Sequence, residues 1–178
     1  GVSHFSLRSD GSRGNLIMIP GGGDRNMSSE ETLREKVVDE YGNIRSDEHG
    51  HMDGADVFNF VIVEVPKDIK RLFAATGEDI HQMDYYLFHQ ANAFINNYIA
   101  KKMKLDTDKI PWTIEKYGNT SSVSVPLTII SELKDKMEGR KKLMMSAFGV
   151  GMAWATGIVP FVDCKISDIV EVENGKAL

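Results

Sequence analysis

Apolar positions change their period along this chain, and each change marks an element. Val2-Ser3-His4-Phe5-Ser6-Leu7 alternates apolar and polar residues, as a strand with one covered face does. Asp10-Gly11 then reads as a tight turn and Leu16-Ile17-Met18-Ile19 as a second strand, so the start predicts a hairpin. Pro20-Gly21-Gly22-Gly23 ends that pattern, and up to about Gly50 the chain is charged and poorly periodic. It reads as a surface loop with one short helix over 28–40. Val57, Val61, Val65, Ile69 and Leu72 recur at helical spacing and predict a helix over 53–76. Pro66 falls inside it and is expected to kink or divide it, because proline lacks an N–H and crowds the preceding turn. Residues 83–88 read as a short buried strand. Ala91, Phe94, Ile95, Tyr98, Ile99 and Met103 form the apolar stripe of a second helix. Trp112-Thr113-Ile114 opens another strand. Ser121 or Ser122 caps a third helix with Pro126 near its first turn, and Leu127, Ile130, Leu133 and Met137 line its buried face. Residues 142–147 and 152–162 are the last strands, joined through Phe148-Gly149-Val150-Gly151. Residues 163–178 form a strand-like remnant and a loose end.

Helices set between strands predict an α/β fold, with a mixed, mainly parallel five-stranded sheet covered by helices. A chain of 178 residues is long enough for a sizeable core. Residue one is Gly, and a strand pattern begins at once, so the chain reads as starting mid-protein. A net charge of −5 and the lack of a basic stripe argue against general nucleic-acid affinity. No apolar run approaches the ~20 residues of a membrane helix, and no signal-peptide pattern opens the sequence. The single cysteine, Cys164, excludes an intrachain disulfide framework and suits a reducing cytoplasm.

Two polar side chains stand out against this frame. His89 follows the apolar run Tyr85-Tyr86-Leu87-Phe88, and Asn119 sits in Gly118-Asn119-Thr120-Ser121-Ser122 before a helix. Strand ends that meet helix starts are where open α/β sheets place their sites. A neutral imidazole N–H and an amide N–H₂ delivered this way are two donors suited to one developing oxyanion. In isolation each has a plainer reading, as a satisfied core histidine and as a turn with a helix cap.

Three ordered motifs carry a family resemblance. His89-Gln90-Ala91-Asn92, then Gly118-Asn119-Thr120-Ser121-Ser122-Val123-Ser124-Val125-Pro126-Leu127, then Ala147-Phe148-Gly149-Val150-Gly151-Met152-Ala153-Trp154 resemble the C-terminal half of a 3-oxoacyl-(acyl carrier protein) synthase III. Met52-Asp53-Gly54 resembles the family as well. The resemblance implies a thiolase-like half. Residues 1–50 would then be the end of the first half and a connecting loop, 51–163 the condensing-enzyme domain and 164–178 a tail. It implies a decarboxylative Claisen condensation of an acyl-coenzyme A primer with malonyl-acyl carrier protein. His89 and Asn119 would be the enolate donors. The backbone at Val150 would face the acyl oxyanion, and Asn92, Gly54 and Ala55 would line the path of the pantetheine arm. It implies no metal or redox cofactor, a cytoplasmic enzyme, acyl carrier protein as partner and a homodimer at full length. The family's nucleophile is a cysteine in the first half, so this chain alone should not turn over.

Departures from the family pattern are specific. Val150 stands where members commonly carry Gly, and a β-branched residue does not easily take positive φ, which narrows the loop. Ala55 replaces an Asn. Phe94 falls where many members have an Arg used in carrier docking, with Lys101, Lys102 and Lys104 on the same helix as electrostatic substitutes. Two other readings remain beside the condensing enzyme: a non-catalytic domain that binds carrier protein or coenzyme A, and a relative that forms another bond with the same residue types. A hydrolase built on Cys164, His89 and Asn119 fits by residue type only, because nothing places Cys164 at an activating site. Asp47-Glu48-His49-Gly50-His51-Met52-Asp53 holds potential metal ligands but lacks a second cluster at metal-site spacing.

Overall fold

The computed structural model describes residues 1–173 and 176–177, and they fall into two compact units. The larger comprises Gly1–Arg8, Val61–Phe148 and Trp154–Leu178; the smaller comprises Ser9–Phe60 and Gly149–Ala153. The strands are β1 (His4–Ser9), β2 (Ile17–Met18), β3 (Lys36–Val37), β4 (Ile44–Arg45), β5 (His51–Met52), β6 (Tyr85–Phe88), β7 (Arg140–Gly149), β8 (Ala153–Val162), β9 (Val172–Glu173) and β10 (Lys176–Ala177). The α-helices are α1 (Glu30–Leu33), α2 (Gly54–Thr76), α3 (Ala93–Met103), α4 (Ile114–Tyr117) and α5 (Ser124–Leu133).

The larger unit is built on a four-stranded sheet in the order β1-β8-β7-β6. β6 runs parallel to β7, with Tyr85 opposite Leu143 and Phe88 opposite Ser146. β7 and β8 are joined by three residues, a link that only antiparallel neighbours permit. Tyr86, Leu87 and Phe88 are all buried, as expected of a strand covered on both faces. Leu87 packs with Leu143 and with Leu133 and Met137, which lie at and just beyond the end of α5. The fold is therefore α/β, with four strands in its main sheet where five were expected. Two expected strands lie outside it: β2 pairs elsewhere, and Trp112-Thr113-Ile114 forms no strand, since Thr113 precedes α4 and its buried side chain meets a hydroxyl partner.

α2 continues through Pro66 without dividing. The proline leaves the carbonyl of Ile62, four residues back, without its helical donor. Lys102 supplies one: its Nζ donates to that carbonyl at 2.7 Å and lies 5.5 Å from the centroid of the Tyr98 ring. Lys102→Ala is expected to cost about 1 kcal/mol of stability. The cost should shrink when Pro66→Ala restores the backbone donor, because the two changes then share one carbonyl. Thermal melts of the two single variants and the double variant measure that coupling.

On α3 the buried face is Ile95, Asn96, Ile99, Ala100 and Met103. Phe94 is 67% exposed and Tyr98 38%, so the helix turns its core stripe to one side of the apolar set expected from sequence.

In the smaller unit the expected hairpin is absent. Asp10 accepts the backbone N–H and the hydroxyl of Ser12, and so caps a 3₁₀ turn over Gly11–Leu16. β2 pairs with β5 instead of β1. The helix expected over 28–40 shrinks to α1, closed by a Ser29–Thr32 capping box, and β3 and β4 then form a small antiparallel pair. The potential metal ligands of this segment serve local turns: Glu48 accepts from Ser28 and Thr32, Asp47 pairs with Lys36, and His49 Nδ1 accepts the Ser46 N–H. Among the described residues no three His, Cys, Asp or Glu side chains are grouped as a metal site. No helix among them is long and apolar enough to cross a membrane.

Candidate active site

His89 lies immediately after β6, where the strand hands over to α3. Its backbone is fixed from two sides. The N–H donates to Ser146 on the neighbouring strand at 2.9 Å, and the carbonyl accepts from the Ala91 N–H and from Asn96 Nδ2 at 2.9 and 3.0 Å. The ring is half-buried, with the Phe148 ring edge-on at 5.4 Å between centroids. Its Nδ1 lies 2.6 Å from the hydroxyl of Ser124, the first residue of α5. Burial pushes the imidazole below the ordinary histidine value of 6.5, so the ring is neutral at pH 7.

The sign of this shift makes a prediction. Between the lowered value and 6.5 the unfolded chain binds more protons than the native one, so stability rises with pH across that window. The contribution is complete above the ordinary value and lost as pH falls through the window. A histidine NMR titration is expected to place the His89 midpoint below 6.5; a midpoint at or above 6.5 would contradict the burial account.

Asn119 follows α4 and Gly118, whose φ of +66° suits the left-handed turn that ends that helix. The Asn119 side chain is exposed, and its Oδ1 accepts the Ser121 N–H at 2.9 Å. Ser121 takes a left-handed φ of 55° in closing this turn. With the carbonyl oxygen so occupied, the amide N–H₂ remains as the donor of this side chain. Neither Ser121 nor Ser122 caps α5 through its side chain, contrary to the sequence expectation; the turn is held by Asn119 instead.

The His89 and Asn119 side chains are thus tied to one short segment, Asn119 at Ser121 and His89 at Ser124. A buried polar network supports it. Gln90 donates from its backbone to Ser124 Oγ and from its side chain to the Phe88 carbonyl, and accepts the Thr113 N–H. Thr113 and Thr128 share a hydroxyl contact of 2.9 Å, and Thr128 donates to the Ser124 carbonyl at 2.7 Å. Sequence reading missed Ser124, Gln90, Thr113 and Thr128. Their signal was polar residues at positions where a helix or strand should be apolar.

The other expected site residues have defined places. Asn92 caps α3, its Oδ1 accepting the Phe94 N–H at 2.8 Å. Gly54 and Ala55 are exposed in the first turn of α2, in the smaller unit. Val150, in the same unit, is exposed in the β7–β8 turn. The left-handed φ of that turn falls on Gly151, at +134°, and Val150 stays out of that region. The strain foreseen for a β-branched residue therefore does not arise. Cys164 lies past β8, away from any helix start, with its sulfur 4.0 Å from the Lys165 carbonyl.

Comparison with known proteins places the chain in a family. The family described as 3-oxoacyl-(acyl carrier protein) synthase III C terminal matches residues 73–161, half of the chain, including His89 and Asn119. The chain belongs to the 3-oxoacyl-(acyl carrier protein) synthase III family. A beta-ketoacyl-(acyl carrier protein) synthase III of Streptococcus gordonii is 42% identical over 112 residues, 61% of this chain and 34% of that protein. A putative 3-oxoacyl-(acyl carrier protein) synthase 3 of Campylobacter jejuni is 32% identical over 167 residues, 93% of this chain and 46% of that protein. A 3-oxoacyl-(acyl carrier protein) synthase from Burkholderia xenovorans shares the fold with a TM-score of 0.80 at 36% identity, over 93% of this chain and 46% of that one. The chain therefore spans half or less of these synthase III relatives, and what it matches is their C-terminal portion.

Proposed function

We propose that this chain forms the C-terminal part of a condensing acyltransferase of the synthase III type. An acyl group from a coenzyme A thioester loads onto a cysteine outside this chain. A malonyl thioester on acyl carrier protein then loses carbon dioxide, and the electron pair of the broken C–C bond moves onto the thioester as an enolate. His89 and Asn119 donate to the enolate oxygen. The enolate carbon attacks the acyl-cysteine carbonyl, a new C–C bond forms, and the thiolate departs. The backbone at Val150 takes the oxyanion of that second step, and Asn92, Gly54 and Ala55 flank the pantetheine arm. The chemistry consumes the two thioesters and calls for no metal or redox group. Its partners are acyl carrier protein and a second copy of the enzyme, in the cytoplasm, and neither nucleic acid nor a membrane has a part in it.

One observation carries this reading: a neutral imidazole and an amide whose oxygen is already occupied, both tied to residues 121–124. Donors preorganised in this way stabilise developing charge without reorganising at the moment of reaction. The test uses the full-length protein with a panel of acyl-coenzyme A thioesters and maps the acylated residue by peptide mass spectrometry. The expected label is on a cysteine outside these 178 residues. Label on Cys164 would replace the condensing reading with the hydrolase-like one. Absence of label from every thioester would favour a domain that binds carrier protein or coenzyme A without catalysis.

A further inference from the structure

We infer that Ser124 is a positioning residue that fixes the tautomer of His89, placing its proton on Nε2. The inference rests on the enolate-donor reading of His89. Ser124 is 1% exposed, at the first turn of α5. Its Oγ makes two contacts: His89 Nδ1 at 2.6 Å and the Gln90 backbone N–H at 3.3 Å.

A hydroxyl has one proton to give and two lone pairs to offer. The Gln90 N–H can only donate, so it occupies a lone pair and cannot take the serine proton. Were Nδ1 protonated, it would donate to Oγ as well, and the serine proton would be left with no acceptor in a buried site. An unmet buried hydroxyl costs roughly 1–3 kcal/mol. The arrangement that satisfies every group has Ser124 donating to Nδ1. Nδ1 is then the acceptor nitrogen of a neutral ring, and Nε2 carries the hydrogen. That is the tautomer an enolate donor needs if Nε2 is the nitrogen that faces substrate.

The rest of the network keeps Ser124 in place. Thr128 donates to its carbonyl at 2.7 Å, Thr113 holds Thr128 at 2.9 Å, and the Thr113 N–H donates to Gln90 Oε1 at 3.3 Å. The loop closes through residues that are each buried. A serine needed only for packing would not require this set of polar partners, since burying them is costly unless all are satisfied. The role resembles that of the group that orients a catalytic histidine through its second nitrogen.

The test is a spectroscopic one on the full-length protein with ¹⁵N-labelled histidine. Long-range ¹H–¹⁵N correlations distinguish a protonated from an unprotonated ring nitrogen, and His89→Ala identifies the signal. The expected result is protonated Nε2 and unprotonated Nδ1 in the unsubstituted protein. Ser124→Ala should let the tautomers mix and should lower kcat for malonyl decarboxylation by about 10- to 100-fold with KM little changed, a partial loss because the ring itself remains. Ser124→Thr, which keeps a hydroxyl, should restore the Nε2–H signal. Protonated Nδ1 in the unsubstituted protein overturns the inference whatever the activity. So does a Ser124→Ala protein with the same tautomer and the same kcat. If the unsubstituted protein shows the Nε2–H tautomer yet decarboxylates nothing, the enolate reading fails while the assignment of Ser124 stands.

Discussion

His89→Ala in the full-length protein is expected to slow release of carbon dioxide from malonyl-acyl carrier protein by about 10²–10³-fold, roughly 3–4 kcal/mol. The size follows from what is removed. Decarboxylation places a full negative charge on a thioester oxygen, and the imidazole is one of two donors proposed to meet it. A neutral ring in the proposed role would stabilise that charge as a hydrogen-bond donor without protonating the carbanion that must attack. The backbone contacts of residue 89, to Ser146, Ala91 and Asn96, do not involve the ring, so the substitution should leave the β6–α3 junction folded. Losing the ring takes the acceptor from the buried Ser124 hydroxyl, so a melting temperature lowered by the equivalent of about 1–3 kcal/mol of stability is expected, with an unchanged circular dichroism spectrum showing that the fold is kept. Decarboxylation at the unsubstituted rate would take His89 out of the chemistry, and no decarboxylation by the unsubstituted protein would leave the binding-domain reading.

Asn119→Asp is the sharper substitution, because it changes one atom in role and almost nothing in shape. A carboxylate oxygen can still accept the Ser121 N–H that now goes to Oδ1 at 2.9 Å, so the turn after Gly118 survives. The second terminal atom, Nδ2 in asparagine, changes from a donor to a negatively charged acceptor. The expected loss is at least about 10²-fold in decarboxylation, because a donor is lost and a like charge is set beside the enolate. Acyl loading onto the cysteine should be affected much less, since it develops its charge elsewhere. A protein that loads acyl groups but no longer decarboxylates malonyl thioester is the expected phenotype. A variant equally slow in both steps would mean that Asn119 acts on the fold and not on the enolate.

Much of the large unit was legible in the periodicity. The 3.6-residue stripe gave α2 and α3, the short apolar run gave β6, and β7 and β8 appeared at nearly their observed bounds. What failed failed for identifiable reasons. Asp10-Gly11 carries the chemistry of a hairpin turn, yet the same Asp side chain equally well caps a 3₁₀ turn, and local sequence does not choose between them. Pro66 was expected to kink or divide α2, and α2 runs on through it. The donor that takes its orphaned carbonyl, Lys102, lies 40 residues away and belongs to another helix. Lys102 was also counted with Lys101 and Lys104 as a docking charge, and that carbonyl already engages it. Phe94 and Tyr98 read as core by spacing, but the covered side of α3 is set by what packs on it.

The site was legible only in part, and for a similar reason. His89 and Asn119 announced themselves through motif context. Ser124 lies five residues past Asn119 in the same motif and was passed over, because a serine among Val123, Val125 and Pro126 looks like a helix start. Its meaning comes from a partner 35 residues away. Polar residues that are buried and fully paired are where tertiary structure adds most to a sequence reading.

The central claim is that His89 and Asn119 hold one enolate oxygen together. The most direct test is the rate of carbon dioxide release from malonyl-acyl carrier protein by the full-length protein, measured for the unsubstituted enzyme, His89→Ala, Asn119→Asp and the double variant. Two donors on one oxygen act as a unit, so each single loss should be large and the double loss should fall well short of their product. Release at the unsubstituted rate by either single variant would contradict the claim.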